Sequence, residues 1–237
     1  MTDSTITSPI KAVQGRPPVP SRHWPLRAVA VGYSAAWIVG LLLASSSTDV
    51  TSTGSTIVRQ DAPQAAALTV QFLLTEGVAA LALLVVVIGF WRATARGGAR
   101  DVGFIAGLAA VAISLSQTVL GVCLIGIAVR RADGALASSL TVTLNELDGV
   151  KMLLLAVTAF AVSVAQVRRQ VWLPLWLLPI GVATGVALVA SAIGYLTGIN
   201  ALTVAAWVSL PLLLIFVTAL GLCVRPVSQR AVTGAGR

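Results

Sequence analysis

Apolar residues in this chain come in long unbroken runs rather than in alternating or single-stripe patterns. The runs cover about residues 28–44, 66–91, 102–129, 137–167, 172–196 and 201–224. Such runs cross about 30 Å of hydrocarbon as helices. A membrane β-barrel would instead show strands of about ten residues with alternating polarity, and these runs do not alternate. The pattern predicts an all-α, polytopic bundle of six transmembrane helices occupying residues 27–225. Residues 1–26 carry Pro17, Pro18, Pro20 and Pro25 in a polar stretch and are expected to be a disordered cytoplasmic tail. Residues 226–237 are expected to be a second cytoplasmic tail.

The first run also has the length of a signal-peptide core. Its polar lead is long for a signal n-region, however, and the Leu-Leu-Ala-Ser context at Ala44 is a poor cleavage site. It is therefore expected to persist as an uncleaved helix. Residues 45–64 are rich in Ser and Thr and lack apolar periodicity, which predicts a solvated loop. The polar positions of the first three helices do not recur in the last three, so an inverted-repeat transporter gains no support.

Basic residues give the orientation. Lys11, Arg16, Arg22, Arg27, Arg92, Arg96, Arg100, Arg168, Arg169, Arg225, Arg230 and Arg237 fall on one side of the predicted bundle. Only Arg59, Arg130 and Arg131 fall on the other. Positive charge is retained in the cytoplasm, so both termini are expected inside, in the plasma membrane. Trp24, Trp91, Trp172 and Trp176 lie near that boundary, as interfacial aromatics do.

Composition supports a lipid solvent: 57% of residues are hydrophobic and 10% charged, against about 25% charged in soluble domains. The formal net charge is +8, but the basic residues sit in short gaps between apolar runs rather than on one stripe. Nucleic-acid binding needs such a stripe and is not expected; the expected partner is the bilayer. Cys123, Cys223 and His23 are too few and too scattered for a zinc site or bis-histidine haem ligation, and no cofactor is expected. The two cysteines fall near opposite membrane surfaces, beyond the roughly 7 Å between Cα atoms that a disulfide spans.

Ionisable residues inside spans are costly and mark candidate sites. Here they are Glu76, Glu146, Asp148 and Lys151. At 1.5 Å per residue, Glu76, Gln117, Lys151 and Ser209 each lie about 24–25 Å from the basic boundary of their own helix. Four helices thus place a polar group at one level in the outer half of the bilayer. Asn145, Asp148 and Lys151 share one face of the fourth helix, and Glu146 points elsewhere. On the third helix Gly103, Gly107, Ala110, Ser114, Gln117 and Gly121 form a small-residue stripe, with Phe104, Leu108, Val111, Leu115 and Val122 opposite. That helix should be central, with Gln117 facing protein. Gly181, Gly185 and Ala192 predict a similar contact on the fifth helix. Pro211 and Pro179 would leave the carbonyls of Trp207 and Leu175 without their helical donors.

This candidate layer (Glu76, Gln117, Asn145, Asp148, Lys151 and Ser209) has two readings. Glu76 and Lys151 could flank an outward-open cavity where a carboxylate carries a proton or a cation. Alternatively, Glu76 and Lys151 form an interhelical ion pair braced by Gln117, or Asp148 and Lys151 pair at i,i+3. No Gly-x-Ser-x-Gly elbow, His-Glu-x-x-His pair or phosphate-cradling loop occurs, so enzymatic activity is not expected.

The layout resembles uncharacterised six-helix membrane proteins of high-GC actinobacteria. The resemblance rests on the Trp-Arg-Ala-Thr-Ala-Arg stretch at 91–96, the polar loop after the first helix, and the Trp-Leu-Pro-Leu-Trp stretch at 172–176. It implies the fold but no reaction and no functional residues. The expected function is non-enzymatic binding of a protein partner, lipid or small ligand. The alternative is a small-solute or ion/proton-coupled permease using the polar layer. A carrier should show a water-accessible cavity lined by Glu76, Gln117 and Lys151; a dry interior with these groups mutually paired favours binding or scaffolding.

Overall fold

The computed structural model describes residues 24–44 and 52–224. Nearly all of both expected tails, and residues 45–51, lie outside this range. Among the described residues six helices are long and apolar enough to cross a membrane: Pro25–Leu43, Gly54–Ala93, Gly98–Val129, Gly134–Val167, Leu177–Thr197 and Ala206–Cys223. The predicted six-helix architecture is present. Large apolar side chains such as Leu42, Ile105, Val119 and Val186 are each more than half exposed. In water such a surface would drive aggregation; hydrocarbon solvates it.

In detail the spans are α1 (Trp24–Leu43), then α2 (Gly54–Asp61), α3 (Ala65–Phe72) and α4 (Ala79–Ala93) in the second span. A 3₁₀ turn, Ala62–Gln64, joins α2 to α3, and a π-helical turn, Leu73–Val78, joins α3 to α4. The third span is α5 (Gly98–Cys123) with a second π-helical turn, Leu124–Val129. The remainder are α6 (Gly134–Val167), α7 (Leu177–Thr197), the short α8 (Asn200–Thr203) and α9 (Ala206–Cys223). Asp133 caps α6 by accepting from the Leu136 N–H at 3.0 Å, satisfying one orphan donor of the first turn. Gly198, at φ 67°, ends α7 in the left-handed conformation that glycine adopts without strain.

The helices close a ring. Each of α4, α5, α6, α7 and α9 packs on the next in that order, and α1 closes the circle between α9 and α4. Side chains set how closely the backbones approach. The stripe expected on α5 is buried at Gly103, Gly107, Ala110, Ser114, Gln117 and Gly121. Gly107 lies against Val87 and Gly121 against the Phe72 ring, where a Cβ would collide. Gly181 and Gly185 on α7 admit Phe216 and Phe160 in the same way. Van der Waals packing of this kind drives helix association where no hydrophobic effect operates between helices. Between α1 and α9, hydroxyls add hydrogen bonds: Ser34 meets Thr218 at 2.6 Å, and Thr218 donates to the Ala30 carbonyl at 3.2 Å. Val111, expected on the outer side of α5, is instead buried, because the ring wraps a wider arc of α5 than one stripe.

Three expectations are corrected. Residues 54–61 are not a solvated loop: α2 packs on α6 and buries Ile57 and Asp61, four residues apart on one face. Short polar α2 hides its amphipathic character in a Ser/Thr-rich stretch. The fifth helix begins at Leu177 rather than Trp172, since Pro174 pushes the residue before it out of helical conformation. Pro179 consequently falls in the first turn, where its missing N–H costs nothing, and the Leu175 carbonyl accepts from Leu178 at 3.2 Å. Pro211 does lie inside α9.

Gly54 meets the backbone of Gly134, and a Cβ at Gly54 would overlap the Gly134 carbonyl. This close approach docks α2 onto the start of α6. Gly54→Ala should cost about 1–3 kcal/mol at that contact, because backbone has no rotamer with which to yield. Limited trypsin digestion of the reconstituted protein reads it out at Arg59, an exposed residue of α2. Cleavage after Arg59 should accelerate in the variant; an unchanged rate would show that this contact does not hold α2.

Candidate functional site

One end of the bundle carries α2 and residues 130–133; it is called upper here, and the end with residues 94–97 and 168–176 lower. In the lower half, α4 and α9 meet across the ring. Leu83, Val86 and Phe90 join Phe216, Val217 and Leu220 in one buried apolar cluster. In the upper half the helices instead leave a cavity of about 730 Å³ that is partly open to the surroundings. Its wall takes Tyr33, Trp37 and Leu41 from α1, at the spacing that puts them on one helix face. Asp61 and Leu68 come from α2 and α3, and Leu144, Asn145, Asp148 and Lys151 from α6. Tyr195 on α7 and Trp207, Ser209 and Leu210 on α9 complete it.

The charged centre sits on this wall. The Lys151 ammonium donates to both Glu76 carboxylate oxygens, at 2.9 and 2.8 Å, and lies 2.7 Å from Asp148 Oδ1. Glu76 and Lys151 are 7% and 5% exposed, so the pair is held away from bulk water. The two pairings expected as alternatives, Glu76 with Lys151 and Asp148 with Lys151, therefore coexist. One ammonium has three donors, enough to serve both carboxylates. Asp148 is the more open partner, its side chain 29% exposed.

Local backbone helps place these groups. Glu76 lies within the π-helical turn Leu73–Val78, a one-residue widening that re-aims side chains and recurs at functional sites. Thr75, beside it, donates to the Gln71 carbonyl at 2.9 Å and packs where Gly40 of α1 leaves room. Gly77 sits next to Thr118 of α5, so the turn is pinned on both sides. On α6, the i,i+3 spacing of Asp148 and Lys151 puts them on one face toward the cavity.

The remaining candidate residues distribute differently from a single layer. Gln117 does not brace the ion pair. Its amide donates to the Leu144 carbonyl at 3.1 Å, and its Oε1 is buried without a hydrogen-bond partner. Ser114, one turn away on the same stripe of α5, is also buried. Ser209 pairs with Ser191 at 3.1 Å, joining α9 to α7 rather than to the charges. Asn145 lines the cavity about 9 Å along α6 from Lys151. Glu146 is exposed, as its angle on the helix predicts. The flat layer becomes a ladder up the cavity wall.

Two groups of that wall escaped the sequence reading. Asp61 is 3% exposed and its Oδ1 has no hydrogen-bond partner; Thr141 Oγ1 is also buried and unpartnered. The spacing of Ile57 and Asp61 signals an amphipathic turn, but only a few residues carry it. The aromatic set Tyr33, Trp37 and Tyr195 escaped because each belongs to an apolar run. Among the described residues no group of three His, Cys, Asp or Glu side chains converges as metal ligands do.

Removing one member of a buried pair strands the other charge, at about 3–5 kcal/mol. Lys151→Met strands two carboxylates and should lower the thermal midpoint in detergent most. Glu76→Gln should cost less, because Asp148 stays on the ammonium. Equal losses for the two variants would show that Asp148 contributes nothing to holding Lys151. No protein-family model, curated protein or solved structure matches this chain, so its function is argued from its own residues.

Proposed function

We propose that this protein is a non-enzymatic, multi-pass plasma-membrane protein that binds a small ligand in its upper cavity, entered from outside the cell. The observation that carries the reading is the coincidence of a cavity of about 730 Å³ with the Glu76–Lys151–Asp148 cluster on its wall. Ligand pockets run to about 300–1,000 Å³, largely apolar with a few placed polar groups, and this cavity has that make-up. Ionisable side chains are expensive at membrane depth and are retained where they face a cavity or one another; these do both. Orientation follows from charge. Arg92, Arg96, Arg100, Arg168 and Arg169 belong to the lower end, and Arg59, Arg130 and Arg131 to the upper, which favours a cytoplasmic lower end with both termini inside.

A permease working by proton or ion coupling is the second reading. The lining of the cavity by Glu76, Gln117 and Lys151 together favours it. Against it, both Glu76 oxygens are held by Lys151, and the α4–α9 cluster closes the floor. Carriage would require a second conformation that opens that floor.

Native mass spectrometry of the protein released from nanodiscs tests the binding reading. Wild type should carry a discrete non-lipid mass, and Asn145→Trp, which crowds the cavity beside the charged cluster, should lose it. Val186→Trp, on the lipid-exposed side of α7, should retain it. Loss in both variants, or a mass in neither wild type nor variants, overturns ligand binding at this site. For the permease reading, Glu76→Gln should abolish proton-coupled flux in liposomes, and unchanged flux removes it.

A further inference from the structure

We infer that the ligand of this cavity is an organic cation, an amine or quaternary ammonium carried on an apolar body. The inference rests on the ligand-binding reading above and names the chemical class it would take.

The argument begins with charge. Asp61, Glu76 and Asp148 line the cavity against the single ammonium of Lys151. Lys151 is already engaged by Glu76 and by Asp148 Oδ1. The wall therefore carries an excess of carboxylate in a region flanked by lipid, where unpaired charge is costly. A cationic guest offsets that excess; a neutral guest leaves it, and an anionic one worsens it.

Hydrogen-bonding capacity points the same way. Asp61 Oδ1 and Gln117 Oε1 are buried acceptors without partners, on side chains 3% and 2% exposed. Native proteins leave few buried polar atoms unsatisfied, and both side chains belong to the cavity wall. A ligand that completes them must bring donors, not acceptors. Asp148 adds a carboxylate with only one oxygen committed to Lys151.

The apolar part of the wall is aromatic where it matters. Tyr33, Trp37 and Tyr195 come from α1 and α7 and line the same space. Aromatic faces attract ammonium groups, Trp most strongly, and the attraction grows as water is excluded. Size then separates an organic from an inorganic cation. About 730 Å³ far exceeds one metal ion, and the described carboxylates do not converge into a group of three ligands.

The full chain in nanodiscs tests this with three matched probes: phenethylammonium, neutral phenethyl alcohol and anionic phenylacetate. Thermal shift and calorimetry should show the cation binding about tenfold or more tighter than the neutral probe, the discrimination expected of a charge-assisted contact. Benzyltrimethylammonium should compete with it. Asp61→Asn should weaken the cation by about tenfold and leave the neutral probe unchanged, and Asp61→Glu should restore part of the loss. The unliganded midpoint of each variant reports folding. If Asp61→Asn does not fold, Asp148→Asn and the probe discrimination by wild type decide the matter. Equal or preferred binding of the neutral or anionic probe overturns the cation inference while sparing ligand binding. So does cation binding indifferent to both Asp61→Asn and Asp148→Asn. No binding by any probe, together with no co-purifying mass, overturns both.

Discussion

One ammonium group organises the upper half of this bundle. Lys151 on α6 holds Glu76 of the second span and Asp148 of its own helix at hydrogen-bonding distance. Burying an ion pair at membrane depth is tolerated only when each charge has its partner in place. Wherever α6 and the second span sit, this requirement fixes their mutual rotation and depth. The π-helical turn at Leu73–Val78 follows from the same demand, since it brings Glu76 into register while α3 and α4 keep packing on α1 and α5.

The rest of the ring answers a different constraint. With lipid outside, helices gain little from hiding apolar surface from one another, so close packing has to hold them. Glycines on α5 and α7 let Val87, Phe72, Phe160 and Phe216 into the backbone, and the lower half fills with apolar side chains. The upper half cannot fill in the same way. Charged and polar groups stand on its walls, and α8 and the start of α9 lie to one side. The cavity is the space left between a closed apolar floor and a polar wall.

Function, on the reading proposed here, belongs to that division. An apolar floor lies across the straight path, and a polar, aromatic-lined chamber above it suits retention of a guest. The carboxylates exceed the cations that face them, so the chamber's chemistry is asymmetric before any ligand enters.

Long apolar runs determined by themselves that six helices form, because helix length and hydrocarbon thickness are linked by a fixed rise per residue. They also determined the α5 stripe and the α6 face bearing Asn145, Asp148 and Lys151, since angles along one helix follow from 100° per residue. Which helices become neighbours was left open by the same information. Only tertiary structure decided that Gln117 turns to the Leu144 carbonyl rather than to the ion pair, that Ser209 turns to Ser191, and that Asp61 enters the wall from a segment that reads as a loop. The physical reason is that depth along a helix is local, whereas tilt, π-turns and ring order arise from packing between segments distant in sequence. A polar residue's level can be counted from its own chain; the group it faces cannot.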